Sequence, residues 1–115
     1  MKEFIKVMKA LSDPARVKIM KMLQHKTMCV CEIQTALDKA QSTTSKHLKI
    51  LEDADLITYQ KEGLWVNYKL ADSTRNLFAA SLISHLHHWL EDDPEVQAMV
   101  RQLPVIDRHI ILNRS

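Results

Sequence analysis

Residues 41–57 read QSTTSKHLKILEDADLI. Leu48 and Leu51, with Thr44 a turn earlier, form a narrow stripe at helical spacing, and Ser42 can cap the helix start. Gln41, Thr43, Ser45, Lys46 and Lys49 make up a broad polar, basic face. A helix with little core face and short donors and acceptors near its N-terminus suits the recognition position in a DNA major groove. Gln can read adenine with two hydrogen bonds, Ser or Thr can serve several bases, and Lys can hold phosphate. The predicted DNA-contacting residues of this helix are Gln41, Ser42, Thr43, Ser45, Lys46 and Lys49. An ordinary solvated helix face has a similar composition, so the neighbouring elements decide between the two readings.

Upstream, residues 3–11 place Phe4, Ile5, Val7, Met8 and Leu11 at helical spacing. Asp13 then caps a second helix that starts at Pro14 and carries Val17, Ile19, Met20 and Leu23 to about Gln24. A third spans about 29–37, with Ile33 and Leu37 facing inward. Downstream, residues 57–61 and 65–70 alternate on either side of a loop holding the only glycine, Gly63, which predicts a β-hairpin. Its Gln60, Lys61 and Lys69 would approach the flanking DNA backbone or minor groove. A long amphipathic helix is predicted from about Ser73 to Glu91, then a short one from about Glu95 to Leu103 and a mixed tail.

This order is that of a mainly α winged helix–turn–helix, expected as a single domain over residues 1–115. The apolar first and fifth helices need a partner, and a symmetric homodimer through them is the economical solution.

Charge agrees with a polyanion partner. Residues 1–50 carry ten Lys/Arg against four Asp/Glu, whereas residues 51–115 carry six against ten. A local basic face on a nearly neutral whole suits a protein that must leave DNA as readily as it binds it. No apolar run is long enough to span a membrane and the charged start lacks a signal-peptide pattern, so a cytoplasmic, membrane-free setting is expected. No His-Glu-x-x-His, phosphate-binding glycine loop or paired nucleophile and base is present, and the expectation is not an enzyme.

The only two cysteines lie in TMCVCEIQ, residues 27–34. In a reducing compartment such a pair means small buried residues, redox chemistry or a soft-metal site more often than a disulfide. Residues two apart on a helix sit about 200° around its axis. Cys29 and Cys31 could therefore hold one ion only if the start of the third helix unwinds or distorts, and its first turn should lower the thiol pKa.

LSDPARVKIMKML, CVCEI, QSTTSKHLKILEDADLI and EGLWVNYKL, in this order, resemble the ArsR/SmtB family of prokaryotic metal-sensing repressors over roughly residues 8–90. The resemblance implies a homodimer that holds operator double-stranded DNA when metal-free and releases it on binding an inducer. It also implies a reading fourth helix, a hairpin wing and dimerisation through the first and fifth helices.

Cys29-Val-Cys31 followed by an acid matches the family's third-helix thiolate site, typical of members that sense As(III), Sb(III), Cd(II) or Pb(II). Gln34 stands where some arsenic sensors have a third cysteine, and residues 1–28 contain none. Two thiolates argue for As(III) or Sb(III), with an exogenous thiol, hydroxide or neighbouring side chain as third donor. Cd(II), Pb(II) and Zn(II) remain alternative inducers. Relatives usually place Gly after the third helix; here the position is Asp38, which tolerates left-handed backbone.

Some zinc-sensing relatives carry a D-x-H-x10-H-x2-E site on the fifth helix, bridging the two subunits. Counted from Asp72 it gives Asp72, Thr74, His85 and His88, a second candidate site weakened by Thr74 in place of histidine. His47, beside core Leu48, reads as structural. Two other functions stay open for the Cys pair: a DNA-binding regulator triggered by thiol oxidation or persulfide, and, from another class, a metal carrier or redox protein.

Overall fold

The computed structural model describes residues 1–72 and 74–113. Helix α1 (Lys2–Ala10) is followed by α2 (Pro14–Leu23), which begins as the Asp-Pro signal predicts: Asp13 Oδ1 accepts from the Ala15 N–H at 2.8 Å. Strand β1 (Met28–Cys29) leads directly into α3 (Val30–Leu37). The chain leaves α3 through Asp38 at φ 55°, the left-handed conformation expected there, and enters α4 (Gln41–Asp53).

The hairpin is β2 (Ile57–Glu62) and β3 (Trp65–Leu70), turned at Gly63, whose φ is 62°. Its ladder runs from Ile57 opposite Leu70 to Glu62 opposite Trp65. β1 adds to the other edge of β3, giving an antiparallel sheet of order β1-β3-β2 with Cys29 opposite Asn67. Helices α5 (Leu77–Leu86) and α6 (Pro94–Gln102), a 3-10 turn at Leu103–Val105 and α7 (Arg108–Asn113) complete the chain.

One apolar cluster joins these elements: Val7 of α1, Ile19 and Met22 of α2, Met28 of β1, Ile33 of α3, Leu48 and Leu51 of α4 and Ile57 of β2 are all essentially inaccessible to water. Thr44 belongs to this interior, its hydroxyl donating to the Ala40 carbonyl at 3.0 Å. The architecture is the winged helix–turn–helix expected from the sequence, with α3 and α4 as the helical pair and β2–β3 as the wing.

Several boundaries differ from expectation. The N-cap of α4 is Ala40, and Ser42 lies inside the first turn. The predicted start of the fifth helix, Ser73, is outside the described residues. Asn76 caps α5, its Oδ1 accepting from the N–H groups of Phe78 at 3.1 Å and Ala79 at 3.2 Å. That helix stops at Leu86 and does not continue to Glu91, because the buried Lys21 ammonium draws in its last turn. Lys21 Nζ donates to the carbonyls of Leu86 (2.6 Å) and Trp89 (2.9 Å) and to Glu91 Oε1 (2.6 Å), while Leu90 turns left-handed at φ 64°. The tail expected to be mixed is a docked segment, with Leu103 and Ile106 buried and Lys26 Nζ donating to both their carbonyls.

Candidate functional site

The α4 side chains divide as their spacing dictates. Thr44, Leu48 and Leu51 face the core, whereas Gln41, Ser42, Thr43, Ser45, Lys46 and Lys49 are all exposed. With no side-chain cap, the first-turn N–H groups of α4 are left for an external acceptor, which the positive end of a helix favours being anionic. Gln60, Lys61 and Lys69 are exposed on the wing. Lys49 pairs with Asp53 at 3.2 Å and Lys69 with Asp72 at 3.5 Å, exposed contacts that a phosphate could replace at little cost. His47 is structural: Arg16 Nη1 donates to its Nδ1 at 3.2 Å, tying α4 to α2.

The cysteines are arranged differently from the helical expectation. Cys29 ends β1 with extended backbone (φ −85°, ψ 169°) and serves as N-cap of α3, while Cys31 lies in the helix's first turn. The strand-to-helix bend removes the 200° separation, and the two Sγ atoms lie 2.9 Å apart with α3 intact. The sulfurs meet because the chain departs from helix at Cys29, the second of the two expected routes, and α3 itself need not unwind.

Cys29 is 2% exposed and Cys31 half-buried. Burial first, then the neighbouring Cys31 thiol, pushes the Cys29 thiol up from 9.0 to about 12. The lowered pKa expected from a helix start is therefore overturned at Cys29: loss of water outweighs the helix field.

Glu32 holds this corner. Its Oε1 accepts from the Cys29 N–H at 2.9 Å, the reciprocal contact of a capping box, and its Oε2 accepts from the Arg108 N–H at 3.1 Å. The thiols open on a cavity of about 250 Å³, lined also by Gln34, Gln41, Leu64 and Trp65. The pocket therefore touches α3, the first residue of α4 and the wing at once. Its donor set fits a thiophilic ion: two sulfurs side by side, in a cavity that Gln34 also lines.

Asp72 is engaged by Lys69, His85 Nδ1 lies 2.7 Å from the Ser81 carbonyl, and His88 is exposed. Among the described residues of one chain, no group of three His, Cys, Asp or Glu side chains could hold a metal ion. The acid noted after the cysteines, Glu32, is part of the thiol corner, whereas sequence reasoning missed Asn67, Trp65 and Arg108 as its members. Those three lie far from the cysteines along the chain and carry no local signal.

A winged helix–turn–helix with a polar, basic α4 face and a thiol pair at the start of α3 is the architecture of a DNA-binding transcriptional regulator. Residues 13–59 match the family model described as bacterial regulatory protein, arsR family. The chain is 36% identical over 100 residues to the arsenical resistance operon repressor of Escherichia coli (strain K12), covering 86% of this chain and 83% of that protein. It is 44% identical over 69 residues to the arsenical resistance operon repressor of Bacillus subtilis (strain 168), covering 59% and 66% respectively. Among solved structures it resembles HlyU from Vibrio cholerae N16961, with TM-score 0.63 and 29% identity over 76% of this chain and 90% of that one. The chain belongs to the ArsR family: it is a transcriptional repressor and not an enzyme.

Proposed function

We propose that this protein holds operator DNA as a homodimer and releases it when As(III) or Sb(III) is captured by Cys29 and Cys31. The observation that carries the reading is the 2.9 Å separation of the two sulfurs in a cavity shared with Gln41 of the recognition helix and Trp65 of the wing. When bound, the metalloid would supply bonds to both sulfurs and so tie the end of β1 to the first turn of α3. Cys29 and Cys31 give up their protons on capture, which makes affinity rise with pH. Gln34 stands beside them as a neighbouring third donor, with an exogenous thiol or hydroxide as the other sources.

The cavity's position supports a mechanism. Gln41, Leu64 and Trp65 form its far walls, so a change in its shape acts on the recognition helix and wing together. Capture that fits one arrangement of these walls better than the DNA-bound one lowers operator affinity by that difference. Gln41, Ser42, Thr43, Ser45 and Lys46 would meet base edges and phosphates, while Lys49, Gln60 and Lys61 meet flanking phosphates.

Exposed Phe4, Ile5 and Met8 of α1 beside exposed Leu77 and Phe78 of α5 favour a second copy as their cover. The Phe4 and Phe78 rings already meet edge-on with centroids 5.4 Å apart, joining the two helices into one apolar surface. The reading places the protein in the cytoplasm, where both thiols stay reduced.

The test is a titration of the DNA-bound protein with arsenite, antimonite, cadmium, lead and zinc, alongside Cys29→Ser and Cys31→Ser. Release by arsenite or antimonite that either substitution abolishes is the expected result. Release by a divalent ion alone, or only on adding an oxidant or persulfide, would reassign the trigger. Failure of folded, reduced protein to bind operator DNA at low salt would overturn the reading.

A further inference from the structure

Arg108 lies where the docked C-terminal segment, the thiol corner and the wing meet. Its N–H donates to Glu32 Oε2, on the carboxylate that also holds the Cys29 N–H. Its Nη1 donates to Asn67 Oδ1 at 3.1 Å, and Asn67 is the residue opposite Cys29 in the β1–β3 ladder. Its guanidinium carbon lies 4.7 Å from the ring centroid of Trp65, a wall of the thiol cavity. The segment carrying it is fixed in turn by Lys26, whose Nζ donates to the Leu103 and Ile106 carbonyls.

We propose that Arg108 is a positioning residue for induction, clasping strand β3 of the wing to α3 in the DNA-competent arrangement, so that inducer capture must work against it. The inference rests on the inducer reading above. A guanidinium suits the position because its plane can stack on an indole while its edge donates to an amide oxygen, which an ammonium cannot match. Of its three partners, Glu32 holds the Cys29 N–H, Asn67 stands opposite Cys29 and Trp65 forms the cavity wall. A contact formed in one arrangement only biases the equilibrium between the two and so enters both affinities with opposite sign.

The test uses the full chain as wild type, Arg108→Ala and Arg108→Lys. Operator affinity is measured without inducer across a salt series, and arsenite affinity is measured on DNA-free protein from the sulfur–arsenic absorption. Arg108→Ala should weaken operator binding about tenfold with an unchanged salt slope and tighten arsenite binding by a similar factor, with Arg108→Lys recovering only part. A salt slope shallower by about one, with arsenite affinity unchanged, would instead make Arg108 a phosphate contact and overturn the proposal. No change in either affinity would also overturn it.

Should Arg108→Ala melt α7, Asn67→Ala removes the same hydrogen bond from the wing side and must move both affinities in the same directions. A wild-type protein indifferent to arsenite would defeat the inducer reading. The clasp would then be judged on operator affinity, salt slope and the Trp65 emission shift that Arg108→Ala should produce in a Trp89→Phe background.

Discussion

Glu32 offers a sharp perturbation of the thiol corner. Its side chain is buried at 7% exposure, and its two oxygens accept from the N–H groups of Cys29, at 2.9 Å, and Arg108, at 3.1 Å. Glu32→Ala leaves both donors without their partner. The Cys29 N–H is buried, and an orphaned buried donor costs about 1–3 kcal/mol. The Arg108 N–H is only partly buried, so water can replace the carboxylate there and the loss is about 1 kcal/mol. Together these give about 3 kcal/mol for Glu32→Ala, a large share of the stability of a domain this size.

Glu32→Gln keeps the shape and one acceptor, sparing one of the two donors. It also relieves the cost of burying a charge, so its penalty should be about 1 kcal/mol. Urea unfolding at fixed protomer concentration measures both, with concentration held because dimerisation contributes to apparent stability. A Glu32→Ala penalty below about 0.5 kcal/mol, or a Glu32→Gln penalty equal to it, would refute the cap as the element that holds the corner.

Four further outcomes are expected. Cys31→Ser should bind operator within about threefold of wild type yet lose release by arsenite, since Cys31 is half-buried and its replacement leaves the α3–α4 packing in place. Lys46→Ala should weaken binding to all DNA sequences alike and reduce the salt slope by about one, measured by fluorescence anisotropy. Because the Cys29 thiol is raised from 9.0 to about 12, the unfolded chain releases this proton first, so stability should fall as pH rises from about 9 towards 12. Comparing thermal midpoints with Cys29→Ala isolates that share from lysine titration, because the variant lacks it. Lys21→Met should cost about 2–4 kcal/mol and fray the end of α5, seen in urea midpoints and amide exchange near Leu86, because the carbonyls of Leu86 and Trp89 lose their buried donor.

The helical pair and the wing were legible residue by residue. Thr44, Leu48 and Leu51 were separable from Gln41, Ser45 and Lys46 because burial on a helix repeats with the turn. The wing was legible because alternation on either side of Gly63 needs no partner outside the hairpin. Asp13-Pro14 marked the start of α2 for the same local reason, and Asp38 could be assigned to left-handed backbone from side-chain chemistry alone. The length of α5 was not legible, since its end depends on Lys21, a residue of α2 that reaches the α5 carbonyls only after the two helices pack.

The thiol corner divides along the same line. The sequence by itself determined that two cysteines, an acid three residues after the first, and Gln34 stand at the start of the helix that precedes the recognition helix. Tertiary structure decided the rest. Cys29 pairs with Asn67 across a sheet edge and is thereby held in extended backbone, so the cysteines meet across a strand-to-helix bend and do not diverge around one helix. The same packing places Trp65 and Arg108 beside them. Local spacing fixes which face of an element is buried, because that depends only on the backbone period. Which elements then share a cavity depends on contacts between residues far apart in the chain, and no short-range pattern records those.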